Sequence, residues 1–404
     1  MLNKFSPRYK FEVLAVVAIA RIVYSLNWYT LSPGLSQVGT AFNASVQSLG
    51  ILESSFLAGA GLFQLPAAYA AARWNAKLLI ISGLSLIALT NGLASFAPSL
   101  VILTILRFFL GVGAAMFFSP AIVVVAPLFR NEKQGLALGV YSSAFNIGGA
   151  IALLGWAYII EIYTWRIGLL IGAALAVPVT AMLIVMIKHS ERDFGQVSAD
   201  PGKAVFNVLK SRQIWYMGVG IIGLWSASYV ISQFLPYFET TVNLMNPAPA
   251  GFLASLILVV PIPGSILGGW LSDKLRNRKA FLLYPTIAFG FGTALIGFAK
   301  FDETLVVLSM LGLLQSFSFV SMYAAPFQMD EIKVNEKAIS ISLMNSVQIL
   351  GAFILPILFA SVALNSGYEY AWIIAGAFTL GFVPFLVFVR EPFKKREHAE
   401  IQDV

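Results

Sequence analysis

Apolar runs of membrane-spanning length recur along this chain, separated by short polar breaks. A bilayer core takes about 20 consecutive apolar residues in a helix. Such runs are predicted over 11–33, 46–71, 78–97, 99–127, 135–160, 166–187, 214–238, 250–271, 280–299, 303–327, 337–363 and 370–390. The breaks carry helix-stopping residues, as in Ser32-Pro33-Gly34, Asn246-Pro247-Ala248-Pro249 and Asn365-Ser366-Gly367. The longest polar stretch, about 188–213, falls at mid-chain. The pattern predicts an all-α membrane protein of twelve transmembrane helices: an N-terminal six-helix bundle over 1–187, a linker over 188–213 and a C-terminal six-helix bundle over 214–404.

Composition agrees. Hydrophobic residues make up 58% of the chain and charged residues 11%, against about 25% charged in a soluble domain. A surface so poor in charge faces lipid rather than water. Cysteine is absent, which removes disulfides, thiolate nucleophiles and Cys-based metal sites. The two histidines, His189 and His398, lie in polar stretches and read as solvated loop residues. A Ser-His-Asp triad or His-rich metal site inside the membrane is excluded, so no enzyme activity, metal or cofactor is expected. The first apolar run has no small-residue cleavage site before Pro33 and reads as a span, not a cleaved leader.

The net charge of +7 resolves into a topology signal rather than a nucleic-acid footprint. With the N-terminus inside, the inside segments hold Lys4, Arg8 and Lys10; Arg73 and Lys77; Arg130 and Lys133; Lys188, Arg192, Lys203, Lys210 and Arg212; Lys274, Arg276, Arg278 and Lys279; Lys333 and Lys337; and Arg390, Lys394, Lys395 and Arg396. These are 22 of the 26 basic residues; the outside loops hold only Arg166 and Lys300. The positive-inside rule then places both termini in the cytoplasm of a multi-pass protein of the cytoplasmic membrane. Lys394-Lys395-Arg396 is expected to touch anionic headgroups.

Equivalent loops of the two halves repeat one another. Gly269-Trp270-Leu271-Ser272-Asp273-Lys274-Leu275-Arg276-Asn277-Arg278-Lys279, between spans 8 and 9, closely resembles the major facilitator superfamily signature Gly-x-Leu-Ser-Asp-Arg-x-Gly-Arg-Arg. Between spans 2 and 3 a degraded copy keeps Arg73 and Lys77 but has Ala72 where the Asp would stand. Arg107-Phe108-Phe109-Leu110-Gly111-Val112-Gly113 in span 4, Gly135 to Gly149 in span 5 and Trp165-Arg166 opening span 6 are similar to further family motifs. The resemblance spans essentially the whole chain. It implies the major facilitator fold, two six-helix bundles around a midplane cavity, and secondary transport, usually as a monomer. Arg73, Asp273, Lys274 and Arg278 become structural or gating residues, Asp273 pairing with a base from a neighbouring helix. Arg107 becomes a structural or coupling arginine bonded to carbonyls or to a polar group on span 1. The Gly-Pro late in span 5 that marks the family's drug–proton antiporters is missing from Gly148 to Gly155. No Gly-x-x-x-x-Gly-Lys-Ser/Thr is present, so transport is not expected to be ATP-driven.

Charges inside hydrocarbon cost about 3 kcal/mol or more, so each is a candidate site. Arg21 lies near the middle of span 1, with Tyr24 three residues on, Ser25 four on, and Asn27 and Trp28 beside the same stripe. It reads as an anion clamp. Glu53, the one acid well inside a span, lies about 8 Å in height from Arg21, counting 1.5 Å per residue, and reads as a proton carrier shared with Arg21. The C-terminal half offers neutral candidates: Tyr229 and Gln233 on span 7, Tyr323 on span 10, Asn345 and Gln348 on span 11; Tyr141 and Asn146 on span 5 join them. The 32 Phe are read as mostly lipid-facing. The leading function is proton-coupled secondary active transport of a small organic anion across the cytoplasmic membrane by alternating access; the alternative is a proton-coupled exporter of cationic or hydrophobic compounds. Nucleic acid is not an expected partner.

The chain's lack of Cys makes the topology directly testable. Ser198→Cys should react with a membrane-impermeant maleimide only when the cytoplasmic face is accessible, and labelling in intact cells would contradict the assignment.

Overall fold

A computed structural model of the chain describes residues 7–129, 134–188, 201–329, 331–333 and 336–391. His189, His398, Arg130, Lys133, Arg192 and the basic run Lys394-Lys395-Arg396 lie outside them. Among the described residues are twelve helical spans long and apolar enough to cross a membrane: in the first half span 1 Arg8–Ala41, span 2 Val46–Ala71, span 3 Ala76–Ala94, span 4 Leu100–Val125, span 5 Gly139–Ile162 and span 6 Trp165–Met186. In the second half follow span 7 Arg212–Thr241, span 8 Pro247–Lys274, span 9 Arg278–Phe298, span 10 Phe301–Gln328, span 11 Ile339–Ser366 and span 12 Tyr368–Val387. Because the spans alternate in direction, residues 7 and 391 fall on one side, called here the terminal side; the other is the far side.

The polar breaks work as helix caps. Ser45 accepts a hydrogen bond from the amide of Ser48 to open span 2, Asn75 from Leu78 to open span 3, Ser99 from Ile102 to open span 4 and Asn277 from Ala280 to open span 9. Each satisfies one of the amides that a helix start leaves unpaired. The break at Ser32-Pro33-Gly34 does not end span 1 as the sequence suggests. The helix Pro7–Trp28 gives way to a 3-10 turn over Ser32–Gly34, and a further helix runs from Leu35 to Ala41. Proline is tolerated in the first turn of a helix, where its missing N–H would be unpaired anyway, so Pro33 restarts the helix. Span 8 is divided at Pro261 into Pro247–Val259 and Pro261–Lys274. Span 11 is divided at Phe353, just before Pro356. These are the interruptions that an intramembrane proline imposes.

Within the N-terminal bundle, spans 2 and 4 lie almost backbone to backbone. A Cβ at Gly111 would come within 2.1 Å of the Phe56 carbonyl oxygen, and one at Gly59 within 2.0 Å of that of Phe108. Small residues permit this approach where apolar burial offers no net drive between helices in lipid. The approach places two polar side chains of these spans, described below, within bonding reach of each other.

The bundles meet along two seams. Span 2 packs on span 11: Ser54 Oγ donates to the Phe353 carbonyl at 2.7 Å, and Ser346 Oγ to that of Gly61 at 2.8 Å. Span 5 packs on span 8, where a Cβ at Gly251 would sit 2.5 Å from the Leu153 carbonyl oxygen. Ser32 Oγ adds a bond to the Ser232 carbonyl at 2.6 Å. These contacts run from the far-side ends to mid-depth and draw the far mouth together. On the terminal side the linker helix Pro201–Lys210 touches spans 2 and 11, and Asn207 Nδ2 donates to Glu336 Oε1 at 2.9 Å.

Gly111→Val should destabilise the protein by about 1–3 kcal/mol, because overpacking must push spans 2 and 4 apart. A lower melting temperature in detergent is the expected reading; an unchanged one would show that the spans separate freely.

Candidate functional site

Height along the spans decides which charges meet. Span 2 starts at Val46 and span 4 at Leu100, both from the far side. Glu53 and Arg107 each lie seven residues in, about 10 Å deep at 1.5 Å per residue. They form a buried ion pair, Arg107 Nη2 to Glu53 Oε2, at 2.6 Å, with both side chains at most 1% exposed. The Tyr229 hydroxyl, from span 7 of the other bundle, donates to the same Oε2 at 2.9 Å. Phe56 lies 5.0 Å from the Arg107 guanidinium carbon. The expected sharing of Glu53 with Arg21 is therefore corrected: the carboxylate is held by Arg107 at its own level. Arg107 bonds to span 2 and not to span 1. Trp225 stacks on Tyr229 with ring centroids 5.7 Å apart and planes 10° apart, which fixes the tyrosine toward Glu53.

Among the described residues, no acid pairs with Arg21. It is 6% exposed, and its Nε and Nη1 are buried without a hydrogen-bond partner. Aromatic rings surround it instead: Tyr24 at 4.3 Å, Phe145 at 4.6 Å, Phe118 at 4.8 Å and Tyr141 at 5.0 Å from the guanidinium carbon. Each ring presents its negative face to the cation, an attraction that grows to about 2 kcal/mol when desolvated. The unpaired N–H groups remain costly, about 1–3 kcal/mol each. The ring faces attract the charge but leave Nε and Nη1 without acceptors.

Two of these rings, Phe118 and Phe145, depart from the reading of phenylalanine as lipid-facing. The spacing carried a signal, since Tyr141 and Phe145 are four residues apart on one face of span 5. The Tyr141 hydroxyl donates to the Phe118 carbonyl at 3.0 Å, which ties spans 4 and 5 around the cage. Trp28 packs edge-on against Phe56 with centroids 4.4 Å apart and faces Trp225 across the bundle interface at 6.2 Å; its indole Nε1 is buried without a partner.

Other residues fall elsewhere. Asn27 does not line this space. Its amide donates to the Val23 and Gly172 carbonyls at 2.8 and 3.0 Å, and its oxygen accepts from Asn91 at 2.8 Å. It joins spans 1, 3 and 6, because a shift of six residues from Arg21 turns it to the opposite flank of span 1. Asn146 is half-buried on span 5. In the C-terminal bundle, Gln348 Nε2 donates to Asn345 Oδ1 at 2.6 Å and to the Tyr323 hydroxyl at 3.1 Å, and that hydroxyl is 3.3 Å from Asn345 Oδ1. This cluster lies on spans 10 and 11 of the opposite bundle. Gln233 is fully buried, with neither its oxygen nor its nitrogen bonded.

The loop residues serve packing within the C-terminal bundle. Asp273 pairs with Arg278 at the start of span 9, and Arg278 also reaches Ser272 and, at 3.3 Å, Gln328 Oε1 of span 10. Lys274 lies 4.8 Å over the Trp270 ring. In the degraded copy, exposed Arg73 donates to Tyr69, at 2.9 Å. A separate recess of about 480 Å³ opens on the far side between Gln37, Thr40, Thr164 and Arg166. Its cation is engaged, since Arg166 donates to the Ser95 and Ala97 carbonyls.

Removing one member of the Glu53–Arg107 pair leaves an uncompensated buried charge. Glu53→Ala should cost about 3–5 kcal/mol of stability in detergent, and the double variant Glu53→Leu, Arg107→Met should regain most of it. A double-variant loss equal to the sum of the two single-variant losses would show that the pair is not coupled.

Comparison with known proteins agrees with this architecture. The model of the Major Facilitator Superfamily matches residues 17–329 and 243–403. The phosphoglycerate transporter protein of Salmonella typhimurium is 24% identical over 357 residues, covering 80% of this chain and 76% of that protein. The nitrite extrusion protein of Bacillus subtilis is 24% identical over 378 residues, covering 92% and 90%. The sialic acid transporter NanX of Escherichia coli is 22% identical over 302 residues, covering 73% and 72%. Among solved structures, a bacterial homolog of the human lysosomal transporter Spinster, in an inward-facing and unoccupied conformation, superposes with a TM-score of 0.72 at 16% identity, covering 96% of this chain and 97% of that one.

Proposed function

The chain belongs to the major facilitator superfamily, and on that premise we propose that it moves a small organic anion across the cytoplasmic membrane by alternating access, with Arg21 as the anion's anchor and Glu53 as a proton carrier. It is a multi-pass membrane transporter and not an enzyme. One observation carries the substrate reading. Arg21 is a buried guanidinium whose Nε and Nη1 lack partners, while the acid that would neutralise it is held by Arg107. A carboxylate arriving at Arg21 supplies the missing acceptors in charge-assisted bonds, which are about twice as strong as neutral ones. Relatives named for phosphoglycerate, nitrite and sialic acid support an anionic cargo. Tyr141, Tyr24 and Trp28 wall the anchor; Asn146, Tyr323, Asn345 and Gln348 contribute the polar surroundings from both bundles, and Gln233 and Tyr229 lie on the face of span 7 that meets the N-terminal bundle.

Glu53 suits proton coupling because it joins the bundles. Its Oε2 receives Arg107 from its own bundle and Tyr229 from the other. Protonation withdraws the charge that holds both donors, and rocking of the bundles must release Tyr229. The cation-exporter alternative lacks a free carboxylate at this level, since Glu53 is engaged. Glu239, the other buried acid within the spans among the described residues, lies two residues from the far end of span 7 and accepts from Asn243 at 2.8 Å.

In liposomes with an imposed proton gradient, Arg21→Ala should weaken uptake of the cognate carboxylate by at least about thirtyfold, the equivalent of about 2 kcal/mol or more for truncating a buried charge partner. Normal transport by this variant would remove the anion reading. Glu53→Gln should retain exchange but lose gradient-driven accumulation; continued accumulation would remove the proton reading.

A further inference from the structure

Charge inside the spans can be balanced residue by residue. Among the described residues at mid-depth, the cations are Arg21 and Arg107 and the anion is Glu53. Arg107 and Glu53 cancel at 2.6 Å. What remains is one positive charge, on Arg21.

The surroundings of that charge are either aromatic or neutral. Four rings lie within 5.0 Å of the guanidinium carbon. In the C-terminal bundle the buried polar groups of spans 10 and 11 are amides and a phenol: Gln348, Asn345 and Tyr323 form one hydrogen-bonded cluster, and Gln348 Oε1 remains buried without a partner. Gln233 offers a further unpartnered donor and acceptor, wholly buried. None of these groups neutralises a second anionic group. An ionised group buried without a counter-charge costs several kcal/mol after relaxation, whereas neutral amides and a phenol match hydroxyl or carbonyl groups at a net gain.

We propose that the site selects a monovalent anion: a monocarboxylate with an aromatic or otherwise apolar body, and neutral rather than anionic substituents at its far end. The carboxylate takes Arg21, the body lies against the ring walls, and neutral polar substituents meet the amides of the C-terminal bundle. Dicarboxylates and phosphate monoesters are excluded because their second charge finds no cation. This inference rests on the anion reading of Arg21 and narrows it to one charge. It sets the chain apart from a carrier of phosphate esters, although one relative is named for phosphoglycerate.

A series of ligands with one ring and differing charge tests it. Purified full-length protein in nanodiscs would be titrated at neutral pH with benzoate, phthalate, phenyl phosphate, benzamide and benzylamine, and in parallel with butyrate, succinate and propyl phosphate. Ligand-induced shifts in melting temperature, backed by calorimetry, give relative affinities. The expected result is binding of benzoate at least tenfold tighter than phthalate, phenyl phosphate or benzamide, with butyrate preferred over succinate and propyl phosphate. Arg21→Gln should lower benzoate affinity at least tenfold. Arg21→Lys, which keeps the charge, should keep the preference for monovalent over divalent ligands even at reduced affinity, which separates a lost charge from a misfolded site. Phthalate or phenyl phosphate binding as tightly as benzoate, in a manner abolished by Arg21→Gln, would overturn the single-charge inference while leaving the anion reading intact. Benzylamine binding best, unaffected by Arg21→Gln, would overturn the anion reading itself. Failure of both monocarboxylates to bind would overturn the assignment of the site.

Discussion

A carboxylate held in hydrocarbon must be matched on the spot, and in this protein the matching of Glu53 organises much else. Its partner Arg107 stands at the same depth on span 4, and the near contact of spans 2 and 4 at Gly59 and Gly111 brings the two within 2.6 Å. The hydroxyl of Tyr229 completes the arrangement from the other bundle. A buried pair of this kind adds little stability relative to an apolar replacement, since desolvation offsets most of the attraction. Its importance lies in what it determines: one arginine is neutralised, one is not, and a single acid is in contact with both halves of the molecule.

The unneutralised arginine shows how a cation persists in an apolar interior without an anion. The rings of Tyr24, Phe118, Tyr141 and Phe145 provide electron-rich faces in place of a counter-ion. They come from spans 1, 4 and 5, so the anchor is held within the N-terminal bundle. The C-terminal bundle carries neutral amides and a phenol on spans 10 and 11. The division of labour is asymmetric: charge resides in one bundle and hydrogen-bonding variety in the other.

The twelve spans were legible in the sequence because each rests on a local rule, the length of an apolar run; the end of span 1 was not, because Pro33 restarts the helix instead of stopping it. The Arg21 stripe was legible for the same reason, since positions three and four apart share a helix face. The pairing of Glu53 was not, because it depends on which of two arginines lies at its level and on how far each helix is turned. The equal distance of Glu53 and Arg107 from the starts of two even-numbered spans was the available clue. Asn27 was misread because six residues along a helix leave a side chain about 120° away from the starting face, and there it bonds to spans 3 and 6. Phe118 and Phe145 were passed over because phenylalanine is abundant and uninformative by count, and only the arginine beside them gives them meaning.

The seam between the halves relies on serine hydroxyls of one bundle donating to peptide carbonyls of the other: Ser32 to residue 232, Ser54 to residue 353 and Ser346 to residue 61. A peptide oxygen is supplied by every amino acid alike. Positions 232 and 353 can therefore vary without removing the acceptor, while each donating serine has few substitutes; position 61 is held to glycine by packing, since a Cβ there would lie 2.8 Å from the Leu350 amide nitrogen. Cargo preference can drift along those receiving helices independently of the machinery that shuts them.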